Sequence, residues 1–279
     1  MPRADCWKRL ASVMSCAPML ADCGIDKHAV TEDAVLGGRL RLRQLAHGHR
    51  VGHDAILLAA ACPGRAGERT ADLGAGVGAA GLALAARVTG INVTLVELDV
   101  EVAALARENV RLNDLAPEVC VVNLDVAAPA AAYAAAGLRP GSLQRVLMNP
   151  PFNHPQRSRA SPNSRRKLAH HGSREALVGW VQAASRLLQA AGTLTLIWRG
   201  DALDEVLRAL VPLFGAIIVL PVHPGPRKAA VRVVVRATKG SHGPLTLLPG
   251  FFLNDASGRT SPEAESVLRH GAILPLAEL

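Results

Sequence analysis

The fold is indicated most directly by residues 70–78, which read Thr70-Ala71-Asp72-Leu73-Gly74-Ala75-Gly76-Val77-Gly78. A short apolar run ends here in closely spaced glycines, and an alanine- and leucine-rich segment follows as far as Val88. Glycine permits the positive φ angles of a tight strand-to-helix turn and lets a ligand approach the backbone where a Cβ would collide. The stretch therefore predicts a buried strand, a tight turn and a helix whose first N–H groups face a bound ligand.

The rest of the chain continues this alternation of short apolar runs and amphipathic segments. Strands are predicted at Thr70–Leu73, Asn92–Val96, Val119–Asn123, Leu143–Met148, Thr193–Trp198, Ala216–Leu220 and Ala230–Ala237. Helices are predicted at Gly78–Val88, after an N-cap at Asp99, at Arg174–Gln189 and at Asp201–Leu213. Because strands that alternate with helices pair in parallel and are covered on both faces, we predict a doubly wound, mainly parallel α/β fold.

Length and composition set the outer limits. The chain has 279 residues, of which 49% are hydrophobic, enough for one large core. No apolar run reaches the ~18–20 residues needed to cross a bilayer, and five cysteines without a C-x-x-C pair favour reduced thiols in the cytoplasm. Residues 1–30 show no sustained periodicity, so we predict a disordered or non-native extension before a single domain over residues 31–279. A monomer is favoured.

Positive charge is concentrated in two segments, although the formal net charge is only +8. The first segment, residues 153–173, contains no acid and carries Arg157, Arg159, Arg165, Arg166 and Lys167. The second segment, residues 221–240, also lacks acids and carries Arg227, Lys228, Arg232, Arg236 and Lys239. Clustering of this kind favours a polyanionic partner, although solvated surface arginines would give the same pattern.

The glycine turn and two later acids predict a nucleoside-type cofactor. Gly74, Gly76 and Gly78 are expected to form the turn, with Asp72 directly before it; a carboxylate there favours S-adenosylmethionine over a pyrophosphate, which it would repel. Glu97 ends the second strand, where an acid is placed to bind ribose hydroxyls, as it also is in NAD enzymes. Asp125, after the third strand, is a candidate acceptor for the adenine amine of the cofactor or an ordinary turn residue.

Asn149-Pro150-Pro151-Phe152 closes the fourth predicted strand and is the candidate catalytic turn. The residue before a proline is held extended, and two prolines remove two N–H donors. What remains is an acceptor-rich corner, formed by the Asn149 side-chain oxygen and the Pro150 carbonyl. Such a corner suits the two hydrogens of an exocyclic amine, while Phe152 offers a flat face for a base. A Pro-Pro strand terminator with an incidental aromatic is the alternative interpretation.

These motifs together resemble a class I, Rossmann-like methyltransferase with a seven-stranded sheet that uses S-adenosylmethionine. Residues 44–60, QLAHGHRVGHDAILLAA, are similar to the cofactor-closing segment of the bacterial tRNA1(Val) adenine-N6 methyltransferase family. The resemblance implies that Arg50, Gly52 and Asp54 approach the amino-acid end of the cofactor. It also implies a tRNA adenine as substrate. Because the basic loop 153–173 directly follows the catalytic turn, we predict that it contacts the RNA backbone. Phe152 departs from the family's more frequent tyrosine.

Three other classes of function remain open on the sequence. The same turn would support methylation of a protein glutamine amide or of guanine N2 in ribosomal RNA. A glycine turn followed by an acid also fits an NAD-binding protein, which would leave the Asn149 turn unexplained. A catalytically inactive RNA-binding module is the third alternative. Histidines at 53, 170 and 171 have no metal-ligand spacing, so no metal is expected.

Overall fold

The computed structural model describes residues 30–47, 50–151 and 173–279, so the expected extension before β1 lies outside it. The strands are β1 Val30–Val35, β2 Leu40–Leu45, β3 Arg69–Leu73, β4 Asn92–Glu97, β5 Val119–Asn123, β6 Leu143–Met148, β7 Leu188–Arg199, β8 Phe214–His223, β9 Arg232–Lys239, β10 Thr246–Leu247 and β11 Phe251–Phe252. The helices are α1 His53–Ala61, α2 Ala79–Arg87, α3 Val100–Leu112, α4 Ala130–Ala135, α5 Ser173–Leu187, α6 Leu203–Leu210 and α7 Pro262–His270. No described helix is both long and apolar enough to cross a membrane.

The main sheet has the order β10-β8-β9-β7-β6-β3-β4-β5, with β11 also paired to β8. Strands β3 to β7 run parallel, whereas β9 is antiparallel to β7 and to β8. This confirms the doubly wound, mainly parallel fold. The sheet has nine strands because the two-residue strands β10 and β11 extend the edge beyond the seven predicted.

The chain order places a ligand crevice beside β3. From β3 the chain continues outward through β4 and β5, then returns to β6 on the other side of β3. In open α/β sheets ligands bind at the carboxyl ends of the strands where the order reverses in this way. Because β3 and β6 are neighbours, the turn after Leu73 and the turn after Met148 lie side by side at the edge where a ligand is expected.

Two apolar layers cover the faces of the sheet. One layer contains buried side chains of α1, α2, α3 and α7, such as Leu57 and Leu82. The other contains buried side chains of α4, α5 and α6, together with Trp198 of β7, which is fully buried. Both layers hold the strands rigidly, so the loops at their carboxyl ends start from fixed positions.

A β-hairpin, β1–β2, precedes the main sheet and was not among the predicted strands. It pairs Val30 with Leu45 and Val35 with Leu40 in an antiparallel ladder. The alternation in LRLRQL, residues 40–45, buries every second side chain, which is the period of a half-buried strand. The expected cofactor-closing segment is thus divided between this hairpin and helix α1.

Candidate active site

The turn after β3 has the backbone conformation that its glycines predict. Gly74, Gly76 and Gly78 have φ angles of +67°, +57° and +93°, in the left-handed region that disfavours side chains. The Ala75 N–H donates to the Val96 carbonyl at 2.9 Å, which ties the turn to β4. An ideal Cβ on Gly76 would have no heavy atom within 4 Å, so the backbone there faces open space.

Asp72 is buried beneath the turn, with a relative exposure of 2%. Its Oδ2 accepts a hydrogen bond from the Gly81 N–H at 2.9 Å, so it anchors the first turn of α2. Burial raises the pKa of Asp72 to about 7, opposed by the Gly81 N–H and increased by the charge of Glu97. Asp72 therefore acts directly on the backbone of the turn, and the expectation that it disfavours a pyrophosphate stays a prediction.

Glu97 links the glycine turn to the start of α3. Its Oε2 accepts from the Gly76 N–H at 2.8 Å, and its Oε1 accepts from the Asp99 N–H at 2.9 Å. A carboxylate offers about four lone-pair sites, so two remain for a ligand's hydroxyls. Asp99 itself accepts from the N–H groups of Glu101 and Val102, which confirms its role as the N-cap of α3.

Asn149 follows β6 directly and lies beside the glycine turn, because Met148 pairs with Leu73 at the ends of the two strands. Its Oδ1 is buried and has no hydrogen-bond partner among the described residues. A buried carbonyl oxygen without a partner costs roughly 1–3 kcal/mol, so such a group in a native site calls for a ligand donor. Pro150 is buried and Pro151 exposed, while Phe152 lies outside the described residues.

Comparison with known proteins agrees with this geometry. The family model for the methyltransferase small domain matches residues 49–217, which is more than half of the chain. The chain belongs to the methyltransferase small domain family. The glycine turn and the Asn149 turn of this family member follow the neighbouring strands β3 and β6.

The curated relatives of this chain share one name. A tRNA1(Val) (adenine(37)-N6)-methyltransferase from Bacteroides fragilis is 29% identical over 158 residues, covering 56% of this chain and 62% of that protein. One from Erwinia tasmaniensis is 35% identical over 114 residues, covering 40% and 44%. The chain thus spans less than two thirds of the length of these relatives.

Solved structures give the same fold. A predicted O-methyltransferase from Agrobacterium tumefaciens superposes with a TM-score of 0.66 and 32% identity, covering 79% of this chain and 98% of that one. A Thermus thermophilus 16S rRNA N2 G1207 methyltransferase in complex with AdoMet and guanosine gives a TM-score of 0.51 at 20% identity, covering 75% and 50%. The second likeness shows the fold alone.

The remaining predicted cofactor residues of the methyltransferase lie around the start of α1 and the end of β5. Gly52 is the N-cap of α1, Asp54 pairs with Arg232 at 2.8 Å, and Arg50 pairs with Asp33 at 2.7 Å. Asp125 accepts from the Ala127 N–H at 2.8 Å, as a turn residue does. These pairs join the segment to β9 and β1, and the cofactor roles stay predictions.

Two polar side chains that hold the site in place were not identified from the sequence. Asn109, fully buried on α3, exchanges hydrogen bonds with the Arg43 backbone and donates to the Val77 carbonyl at 3.0 Å. It therefore holds the hairpin against the glycine turn. Gln44 donates to Asp33 and accepts from the Val51 N–H at 2.9 Å. An asparagine or glutamine in a segment that its sequence predicts to be exposed gives no local indication of partners this far along the chain.

The second basic segment is largely used inside the protein, contrary to the expected polyanion surface. Arg236 is 7% exposed and donates to the Leu276 carbonyl. Lys239 donates to the Leu188 carbonyl at 2.7 Å, and Arg232 holds Asp54. Arg236 therefore points into the fold, Arg232 and Lys239 are partly buried on their partners, and Arg227 and Lys228 remain on the surface.

The first basic segment is not tested by the structure. Arg157, Arg159, Arg165, Arg166 and Lys167 all lie outside the described residues. Within the described part of the chain, no group of three or more His, Cys, Asp or Glu side chains comes together as a metal site would require.

Trp180 of α5 covers the first glycine of the turn, a contact that the sequence did not indicate. An ideal Cβ on Gly74 would lie 2.3 Å from the Trp180 ring carbon Cη2. The glycine is required there for two reasons, its positive φ angle and the close approach of the indole. Trp180 thereby joins the helix that follows the basic loop to the floor of the crevice.

Alanine substitutions in the turn should separate these two requirements. Gly74→Ala and Gly76→Ala both force a left-handed alanine, at a cost of roughly 1–2 kcal/mol. Only Gly74→Ala also collides with Trp180, so it should lose about 1–3 kcal/mol more in the free energy of unfolding without ligand. Urea unfolding measures both losses. The extra loss should shrink when Trp180→Ala is added, and equal losses in the two single variants would contradict the packing.

Asp72 should make folding stability depend on pH. Its pKa of about 7 in the fold exceeds the usual 3.8, so between these pH values the folded chain keeps a proton that the unfolded chain has lost. Stability should therefore fall as pH rises from 4 to 7, by about 4 kcal/mol at most, and level off above pH 7. Asp72→Asn keeps an acceptor for the Gly81 N–H but does not titrate.

The measurement is urea unfolding of both proteins at pH 4, 5, 6, 7 and 8. The difference in unfolding free energy between Asp72→Asn and wild type should grow in favour of the variant across this range. Subtracting one protein from the other removes the titration of all other groups. A constant difference from pH 4 to 8 would mean that Asp72 is ionised in the fold.

Proposed function

We propose that this chain transfers a methyl group from S-adenosylmethionine to an exocyclic base amine, adenine N6 of a tRNA, in the cytoplasm. The observation that carries the proposal is the buried Asn149 Oδ1, which lacks a partner among the described residues. Asn149 follows β6 next to the glycine turn that follows β3, where a methyl donor and its acceptor would meet. An acceptor without a donor at that point suits an NH₂ group and not a ring nitrogen.

The Asn149 turn would activate the amine by accepting both of its hydrogens. An aromatic amine is a poor nucleophile because its lone pair is delocalised into the ring. Hydrogen bonds to Asn149 Oδ1 and to the Pro150 carbonyl favour a tetrahedral nitrogen with an exposed lone pair. The exposed lone pair would then accept the methyl group, the sulfur of the donor would keep the electrons of its bond to that carbon, and the amine would release one proton to solvent. Neither proline nitrogen carries a hydrogen that would compete for these acceptors.

The residues at the glycine turn fit the cofactor. S-adenosylmethionine supplies a methyl group on a positively charged sulfur, which makes that carbon reactive. Glu97 has lone pairs left for the two ribose hydroxyls of the cofactor, and the open space over Gly76 leaves room for the cofactor. Asp125 is proposed to accept from the adenine amine, and residues 50–54 to close over the amino-acid end. Trp180 is proposed to limit the floor beneath them.

The curated relatives support adenine N6 of tRNA over the other acceptors. Both are named for that base, although the chain covers only part of each. The Agrobacterium protein is described as an O-methyltransferase. A hydroxyl group as the methylated group has one hydrogen, so it would use at most one of the two hydrogen-bond acceptors at the turn. Glutamine amide, guanine N2 and oxygen methylation are therefore outcomes that the test must separate.

The test supplies labelled S-adenosylmethionine and four acceptors in parallel. These are unmodified tRNA transcripts, ribosomal RNA fragments, a glutamine-containing release-factor protein and total small molecules from a cell extract. Nucleoside mass spectrometry should find N6-methyladenine from tRNA, and Asn149→Ala prepared in the same way should form almost none. Label on protein, on guanine or on oxygen, with none on tRNA adenine, would overturn the substrate proposal.

A further inference from the structure

An aromatic pair lies at the same edge of the sheet as the catalytic turn. β8 and β7 are both antiparallel to β9, so His223 at the end of β8 lies at the carboxyl edge, as Asn149 does. Phe252 ends β11, which pairs in parallel with β8 and places Phe252 opposite His223. Counting strands from β6 to β11 gives four spacings, or about 19 Å from the Asn149 turn.

The two rings are stacked, and a hydrogen bond to the backbone fixes the orientation of the imidazole. Their centroids are 5.1 Å apart with 29° between the ring planes. His223 Nδ1 lies 2.7 Å from the Lys228 carbonyl, which can only accept, so this nitrogen carries the hydrogen. An ideal Cβ on Gly250 would lie 2.7 Å from the imidazole, so the glycine leaves room for the ring. The imidazole is thus fixed, and Phe252 rests on it with 40% of its surface exposed.

Exposed cations lie in the loops that follow His223 and Phe252 along the chain. Arg227 and Lys228, in the loop between β8 and β9, are exposed and form no ion pair with a described residue. Arg259 has 84% of its side chain exposed, with Asp255 at 3.7 Å as its ion-pair partner. They differ from Arg232, Arg236 and Lys239 of the same basic region, which are engaged inside the fold. A flat aromatic face with exposed cations in the adjoining loops matches a base and its flanking phosphates.

We propose that His223 and Phe252 form a stacking platform for an unpaired base of the RNA substrate, with Arg227, Lys228 and Arg259 holding the backbone beside it. The inference rests on the proposed function for the class of substrate, since it requires RNA at the carboxyl edge. The platform lies too far from Asn149 to bind the target base. It binds a second unpaired base about 19 Å away, and so favours loops over continuous duplex.

The test compares binding and turnover in matched variants. Phe252→Ala should weaken binding of a short unstructured oligoribonucleotide about tenfold and raise the KM for the RNA substrate similarly, with little effect on kcat. Phe252→Trp, which keeps a ring, should restore both. Leu247→Ala is the matched control, because Leu247 is 64% exposed on the neighbouring β10 but away from the carboxyl edge.

The cations have their own control and readout. Combined Arg227→Gln and Lys228→Gln should reduce the log–log salt slope of RNA binding by about 0.7 for each lost contact to a single strand. Arg139→Gln, an exposed cation before β6 at the opposite edge, should leave the slope unchanged. Affinity for S-adenosylmethionine and the melting temperature should stay at wild-type values in every variant.

Two failures can be told apart. If wild type methylates RNA and Phe252→Ala binds and methylates it equally well, the platform is overturned and the proposed function stands. If wild type methylates no RNA, the proposed function fails, and oligoribonucleotide binding still decides the platform by itself. Equal affinity of Phe252→Ala and wild type for the oligoribonucleotide overturns the platform in either case.

Discussion

Asn149→Ala should lower kcat for methyl transfer by roughly two to three orders of magnitude while leaving cofactor affinity within twofold of wild type. The magnitude is that of losing one preorganised hydrogen-bond partner at a reacting group. Cofactor affinity should hold because the Asn149 Oδ1 is proposed to contact the acceptor amine. The protein should also fold normally, since the deleted oxygen has no partner among the described residues.

Single-turnover assays at saturating cofactor measure this loss, and calorimetry measures the affinity. Asn92→Ala is a matched control, because Asn92 begins β4 at the opposite edge of the sheet and should leave both quantities unchanged. Near-normal turnover of Asn149→Ala would remove this residue from the reaction. A large loss of cofactor affinity would instead place the amide on the cofactor.

Glu97→Ala should reduce affinity for S-adenosylmethionine by about 10²–10⁴-fold. Two hydrogen bonds to a carboxylate contribute roughly 1.5–3 kcal/mol each, and each 1.4 kcal/mol changes affinity tenfold. The substitution also releases the Gly76 N–H, which Glu97 holds at 2.8 Å, so the turn loses its shape as well as its ribose acceptor. Glu97→Gln keeps an oxygen for the turn and should lose less affinity.

Titration calorimetry with S-adenosylmethionine and with NAD separates this expectation from the dinucleotide alternative. Asp99→Ala is the matched control, since it removes a neighbouring carboxylate that caps α3. It should lower folding stability by about 1 kcal/mol with little change in cofactor affinity. Wild-type affinity in Glu97→Ala, or tight binding of NAD by the wild type, would contradict the assignment.

Much of the fold followed from local pattern. β5 and β6 have the bounds predicted for them, Val119–Asn123 and Leu143–Met148, because each is a short apolar run with clear ends. Other boundaries moved where tertiary pairing took over. β7 begins at Leu188, five residues before the predicted strand, because a bulge lets Leu188 pair with Leu143 before the regular ladder to β6 resumes. α6 ends at Leu210, since the chain must turn back into β8.

The alternation of strands and helices and the glycine turn were determined by the sequence itself, which also predicts an acceptor corner at Asn149. Each depends on a few adjacent residues whose backbone preferences allow one arrangement: glycine for positive φ, proline for a fixed turn, and apolar runs for buried strands. These preferences are local, so they can be recognised without knowing what else is nearby. They were sufficient to predict the methyltransferase fold.

Only the tertiary structure decided where the charges go. Asp72 turns inward to Gly81, Asp54 meets Arg232 across 178 residues of sequence, and Arg236 is buried rather than offered to a polyanion. The aromatic pair of His223 and Phe252 likewise exists because β11 adds to β8. The identity of a residue does not reveal which group it will pair with, because burial and pairing depend on segments that folding brings together. Charge counted along the chain therefore overestimated the basic surface that β9 presents.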